Sequence, residues 1–209
     1  MESMTANEMK SLMRILKEPA ADYNARSLGM AEGITPMGAL KILKKMGGKN
    51  LLVGKKYGKA IYYKPNLSEE YPEKFYEFLL RKEAEEASPR TRAWVREIRK
   101  LSGRAEAAII FGSVLGKKEY NDVDVLFVLS QGQLKALKEE IAGIDSITDK
   151  KIHPIMQTKE DLVRNIRGGD KVVLSALKNG VVAFGYEKVI EAIRDSLGLK
   201  SSTNRGDRQ

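Results

Sequence analysis

The sequence predicts an α+β fold in three sections: helices with a hairpin first, a helical connector next, and a mixed sheet with flanking helices last. Three observations carry this. Residues 5–66 hold three stretches of helical apolar spacing followed by two short strand-like runs. Residues 67–102 repeat apolar residues at helical spacing on either side of a Ser88-Pro89 break. From 103 to 198, short continuous apolar runs alternate with amphipathic stretches, as strands do when helices cover them. The expected sections are therefore 1–66, 67–102 and 103–198, with a polar, disordered tail at 199–209.

Bulk composition narrows the class. The chain has 209 residues, 42% of them hydrophobic, enough for one large core or two small ones. No run approaches a membrane span and the start of the chain lacks the apolar stretch of a secretory signal, so a cytoplasmic protein with no membrane partner is expected. With no cysteine and one histidine, disulfides, thiolate metal sites and histidine clusters are excluded. The net charge is +9, and residues 1–66 hold 12 basic against 5 acidic residues. That concentration is the footprint of a surface that meets nucleic acid.

In the first section Met9, Leu12, Met13, Ile15 and Leu16 have helical spacing and Pro19 ends the helix. Asp22 is expected to cap a second helix running to about Ala31, before a turn at Gly33. Thr35 and Pro36 then suit the N-cap and first position of a third helix to Met46. Strands are expected at 51–55 and 60–64. Helix, helix, turn, helix and hairpin is the order of a winged helix, and Tyr23 through Met46 with its hairpin resembles prokaryotic winged helix-turn-helix regulators. The resemblance implies that the third helix enters the major groove of double-stranded DNA. Thr35, Met37, Gly38 and Lys41 are then candidates for base edges. Lys44, Lys45, Lys55, Lys56 and Lys59 are candidates for phosphate, with Tyr57 at the wing tip. The competing reading is a solvated lysine face on a module that contacts protein.

The connector places Phe75, Phe78, Leu79 and Leu80 on one helix and Trp94, Val95, Ile98 and Leu101 on the next. Residues 67–108 balance 9 basic against 9 acidic side chains, so this section reads as scaffold or a dimer interface.

The chemistry concentrates in Ala107-Ala-Ile-Ile-Phe-Gly-Ser113 and Asp122-Val-Asp-Val-Leu-Phe-Val-Leu129. The first is a buried strand ending in a turn. In the second, the period of two puts Asp122 and Asp124 on one strand face, where they repel each other unless a divalent cation sits between them. Mg²⁺ takes few carboxylate oxygens and completes its shell from substrate phosphates, so the pair suits phosphoryl or nucleotidyl transfer. Gly112 lets backbone approach phosphate, and Ser113 can donate to it. Gly112-Ser113, a gap over 114–121 and Asp122-Val-Asp124 resemble the minimal nucleotidyltransferases of the polymerase-beta-like superfamily. The resemblance implies that Gly112 and Ser113 contact a nucleoside triphosphate and that Asp122 and Asp124 hold the metal. The competing reading is an ordinary turn and the solvent face of an edge strand.

Beyond the motif, Gln133–Ile144 is expected as a helix and 151–157 as a strand. The resemblance implies a third carboxylate in that strand. None is there, and His153 occupies the position, either as proton acceptor and metal ligand or as a replacement in an inactive site. Helices are then expected at 159–166 and 171–178, the second capped by Asp170, a strand at 181–184, and a last helix to about Leu197. Leu174 through Gly185 also resembles the end of the nucleotidyltransferase fold. Arg205-Gly-Asp lies in the tail and reads as chance.

Two functions stay open from sequence. One is a DNA-binding enzyme that moves a nucleotidyl group from Mg-NTP to a hydroxyl. The other is a transcriptional regulator whose second domain is inactive and senses nucleotide or dimerises. A weaker third is an antitoxin that modifies a partner. A homodimer is expected from the way winged helices read paired half-sites.

Overall fold

A computed structural model describes residues 4–116 and 119–199, and the expected tail from 200 onward, with its Arg-Gly-Asp, lies outside the described residues. The chain is mixed α+β. Its first unit consists of α1 (Ala6–Lys17), α2 (Ala25–Glu32), α3 (Pro36–Gly48) and the antiparallel hairpin β1 (Leu52–Tyr57) and β2 (Ala60–Pro65). Thr5 and Glu8 form a reciprocal capping box at the start of α1, satisfying N–H groups that the helix leaves unpaired. Thr35 caps α3 as expected, with Pro36 in its first turn. The cap of α2 differs from expectation. Asn24, not Asp22, accepts from Arg26 and Ser27, because Tyr23 is held extended by a bridge to Tyr63 and the helix cannot begin before it. Asp22 instead pairs with Lys64 at 3.0 Å. The hairpin turn is also tighter than expected, since Tyr57 pairs with Ala60 and Gly58 supplies the positive φ of 56°.

Two helices follow, α4 (Glu70–Glu86) and α5 (Pro89–Arg99), the second capped by Ser88. After them come β3 (Ala107–Phe111), β4 (Asp122–Val128), α6 (Leu134–Ile147), β5 (Lys151–Gln157), α7 (Lys159–Gly168), α8 (Lys171–Asn179), β6 (Val181–Phe184) and α9 (Tyr186–Ser196). The four strands form one sheet in the order β5-β4-β3-β6, with β4 and β5 parallel and β3 antiparallel to both neighbours. Pro154 is tolerated because β5 is an edge strand.

Both faces of this sheet are buried. Ala108, Ile110, Val123, Val125 and Phe127 meet Trp94, Val95 and Ile98 of α5 and Leu137 and Ile141 of α6. Ile109, Leu126, Val128 and Val182 meet apolar residues of α7, α8 and α9. The second cluster does not stop there. It continues through Tyr76, Leu79 and Leu80 of α4 into Leu12, Leu16, Leu28 and Leu43 of the first unit. The helices expected as a connector thus serve as walls, α5 on one side of the sheet and α4 between the sheet and α1. Each fully buried large side chain, such as Phe127, stabilises the fold by about 1.5–3 kcal/mol. Tyr76 buries its ring and donates its hydroxyl to Leu51 O at 2.8 Å, and burial pushes its phenol well above the ordinary value.

Ionic contacts reinforce the same junction. Lys17, whose side chain is 8% exposed, donates to Gly180 O at 2.6 Å and to both oxygens of Glu83 at 2.7 and 2.9 Å. It joins α1 to α4 and to the turn that feeds β6. Nearby, Lys178 pairs with Glu18 at 3.0 Å and Arg194 with Glu73 at 2.6 Å. Glu32, 4% exposed, lies between Lys10 and Arg14. Burial alone would raise its carboxyl pKa, but the hydrogen bonds and charges of those two cations outweigh it and hold the group below the ordinary range. Lys17→Met should lower unfolding free energy by about 2–3 kcal/mol, because a buried carbonyl and a carboxylate lose a charged donor. Denaturant unfolding measures this, and a change under about 0.5 kcal/mol, the usual range for surface substitutions, would show that the contact does not hold the junction.

Candidate functional site

Strand β3 is buried along its whole length and hydrogen-bonded on both edges, so its direction is fixed. It ends at Phe111, whose cross-strand partner is Asp124, and Asp124 is in turn the partner of His153 on β5. One row across three strands therefore holds the end of the apolar run, a carboxylate and the imidazole. Asp122 and Asp124 occupy the β4 face that Leu126 and Val128 continue, while Val123 and Val125 are buried on the other. Asp122 is exposed and Asp124 half-buried at the open end of the strand.

Asp124 is fixed by its surroundings. Its Oδ1 lies 3.0 Å from His153 Nδ1, and its Oδ2 faces Gly112. Gly112 has φ +79°, and a Cβ there would sit 2.2 Å from Asp124 Oδ2. Only glycine satisfies both conditions, since an L side chain strains at that φ and would occupy the carboxylate's place. A 3-10 turn, Gly112–Leu115, follows immediately and carries the half-buried Ser113. The His153 side chain is 68% exposed, so one ring nitrogen meets Asp124 while the ring remains open to a ligand.

Among the described residues, no three His, Cys, Asp or Glu side chains converge as a protein-only metal cage. Mg²⁺ does not require one, because it keeps waters and uses one or two carboxylates together with phosphate oxygens. The donor set fits that ion in kind: two hard carboxylates at one strand end. His153 is a poor Mg²⁺ ligand by softness and acts here on Asp124 instead.

The second set of candidate residues lies on α3 and the hairpin. Thr35, Met37, Lys41 and Lys44 are exposed on α3, as are Lys55, Lys56, Tyr57 and Lys59 on the hairpin. Thr35 Oγ1 already accepts from Gly38 N at 3.1 Å, which leaves its O–H as a donor. Lys45 differs from its neighbours: its ammonium lies 3.0 Å from Glu8 on α1 and ties α3 to that helix. Burial would raise the Glu8 carboxyl, yet the Thr5 N–H and Lys45 hold it below the ordinary range. Lys55 stands 5.1 Å over the Tyr57 ring, which packs edge-on against Tyr62 at 5.9 Å. Sequence reading passed over Tyr62, although strand alternation puts it on the outer hairpin face with Lys55 and Tyr57. It also passed over Tyr120, two residues before Asp122, whose surroundings appear only in three dimensions.

Gly112→Ala should cost about 1–3 kcal/mol of stability, the usual range for a residue forced into a sparsely populated conformation. Gly116→Ala is the control, since Gly116 has φ −136° and nothing within 4 Å of an added Cβ. Equal unfolding midpoints for the two variants would remove the argument that Gly112 is shaped around Asp124. No protein-family model, curated protein or solved structure matches the chain.

Proposed function

We propose that the chain is a DNA-binding nucleotidyltransferase: a winged helix-turn-helix unit at 1–66 carrying a minimal nucleotidyltransferase domain that binds Mg-NTP. The single observation that supports it best is the fit of Gly112 against Asp124 Oδ2, at the junction of the Gly112-Ser113 turn and the Asp122-Val-Asp124 strand. An edge strand that merely faced solvent would have no need of a positive-φ glycine moulded to its carboxylate.

The chain's own residues would act as follows. Asp124 Oδ1 accepts from His153 Nδ1–H, which fixes the tautomer and leaves Nε2 as a base. The hydroxyl of the acceptor gives its proton to Nε2, its oxygen bonds to the α-phosphorus, and the bond from that phosphorus to the bridging oxygen breaks to release pyrophosphate. Ser113 and the Gly112 backbone donate to the outer phosphates. When bound at Asp122 and Asp124, Mg²⁺ would neutralise phosphate charge.

One observation favours a second reading. The strand position opposite Asp124 holds a histidine rather than a third carboxylate, which suits a regulator that binds nucleotide without turning it over. Calorimetry of ATP, GTP, CTP and UTP with Mg²⁺, followed by a pyrophosphate-release assay, separates the two. Binding and release should both disappear in Asp122→Asn, Asp124→Asn, and release alone should fall by about 10²-fold or more in His153→Ala. Binding without release favours the regulator, and no binding removes nucleotide from both.

The DNA half of the proposal rests on the exposed α3 and hairpin residues in the most basic part of the chain. A two-fold dimer would present two such units to paired half-sites. Replacing Lys55, Lys56 and Lys59 by alanine should reduce the slope of log affinity against log salt by about 3, one counterion for each lost phosphate contact. A slope equal to wild type would show that the hairpin does not touch the DNA backbone.

A further inference from the structure

From Gly33 to Ser68 the chain holds eight basic residues and no acidic one, and all eight are lysine. The segment spans α3 and both strands of the hairpin, the surface that the winged-helix reading turns toward DNA. The described acids of residues 1–66 are all engaged: Glu8 with Lys45, Glu18 with Arg14 and Lys178, Asp22 with Lys64, and Glu32 with Lys10 and Arg14. Lys41 and Lys44 on α3 and Lys55, Lys56 and Lys59 on the hairpin are exposed, and among the described residues none of these five pairs with a carboxylate. The surface therefore carries uncompensated positive charge, the complement of a phosphate backbone.

The same segment is poor in side chains that tell one base from another. Of the groups that discriminate base edges in the major groove, α3 has no arginine, asparagine, glutamine, aspartate or glutamate. The two asparagines that follow it are engaged in the fold: Asn66 Nδ2 donates to Asn50 O and Oδ1, both at 3.0 Å, and Asn50 Nδ2 donates to Glu69 at 2.7 Å. The nearest arginine, Arg26, lies on α2. What α3 and its cap expose is Thr35, Met37, Lys41 and Lys44. Thr35 can bond any base, and Met37 can touch a thymine methyl group. A lysine ammonium on its flexible stem reaches phosphate and guanine alike, without the planar fork that fixes arginine on one partner. One lysine on guanine and one methionine on thymine would supply discrimination of about ten-fold each, whereas a specific site is set apart from bulk DNA by about 10³-fold or more.

We propose that the N-terminal unit binds duplex DNA through its phosphates without reading sequence, so that its partner is any duplex rather than an operator. The inference rests on the DNA-binding reading of α3 and the hairpin and states the mode of that binding. An enzyme that acts wherever it meets DNA needs affinity of this kind, whereas a regulator needs a site that stands out from all others.

Fluorescence anisotropy with the full chain tests it on three duplexes of equal length: one A·T-rich, one G·C-rich and one a random-sequence pool. The three affinities should agree within about ten-fold at each salt concentration and share one slope of log affinity against log salt, because the phosphates are the same in all. Lys41→Gln, Lys44→Gln should weaken all three by the same factor and lower that slope by about 2, one counterion for each lost phosphate contact. An unchanged unfolding midpoint shows that this variant is folded. A wider spread of affinities, or repeated selection from the pool that converges on one motif, overturns the sequence-independent mode and leaves DNA binding standing. A loss in the glutamine variant confined to the G·C-rich duplex overturns it as well, because the ammonium groups then lie on guanine. Failure of every duplex to bind at low salt overturns the mode and the DNA-binding reading together.

Discussion

The constraint on which the rest depends is the double burial of β3. Five consecutive buried residues, flanked by strands on both edges, leave the chain no freedom until Phe111. A backbone that must leave such a strand without colliding with the neighbouring carboxylate has one economical exit, a positive-φ glycine. Gly112 supplies it and Asp124 Oδ2 fills the space that a side chain would take. The geometry of the candidate site is thus a consequence of sheet packing, and rigidity there comes from the core beneath it.

The same core reaches the first unit. Because α4 is a wall shared by α1 and the sheet, and because Lys17 on α1 holds Gly180 O, a shift of the N-terminal unit would pull on the turn that begins β6. That turn has no slack, since a Cβ at Gly180 would meet Ala176 O at 2.2 Å and Ile109 at 2.6 Å. β6 is the hydrogen-bonded neighbour of β3, the strand that delivers Gly112. A continuous chain of packed and bonded groups therefore connects α1 to the carboxylate row.

Much of this was legible in the sequence because the signals were local. Thr35-Pro36, Ser88-Pro89 and Asp170 marked helix starts through their own side chains and φ preferences, and the alternation of Asp122-Val-Asp-Val gave the face of β4 without knowledge of its neighbours. The α2 cap was misjudged for the opposite reason. Asp22 is as good a local cap as Asn24, and what decides between them is a bridge from Tyr23 to Tyr63, forty residues away in sequence. Lys45 was grouped with Lys44 because both are basic and helical, whereas only a tertiary contact with Glu8 distinguishes them. The role of α4 likewise depends on elements that meet only after folding.

His153 is the case where position and chemistry pull apart. Its register opposite Asp124 is where a further carboxylate would be expected to serve a metal, yet an imidazole serves the carboxylate instead. A second acid across the row would place another negative charge beside Asp124 and repel it in the absence of a cation. An imidazole 3.0 Å from Oδ1 adds no negative charge and orients the carboxylate. The ring itself is mostly exposed. A row that pairs Asp124 with an imidazole leaves the two β4 carboxylates as the hard oxygen donors of this strand end, and the proposed transferase reading rests on that arrangement.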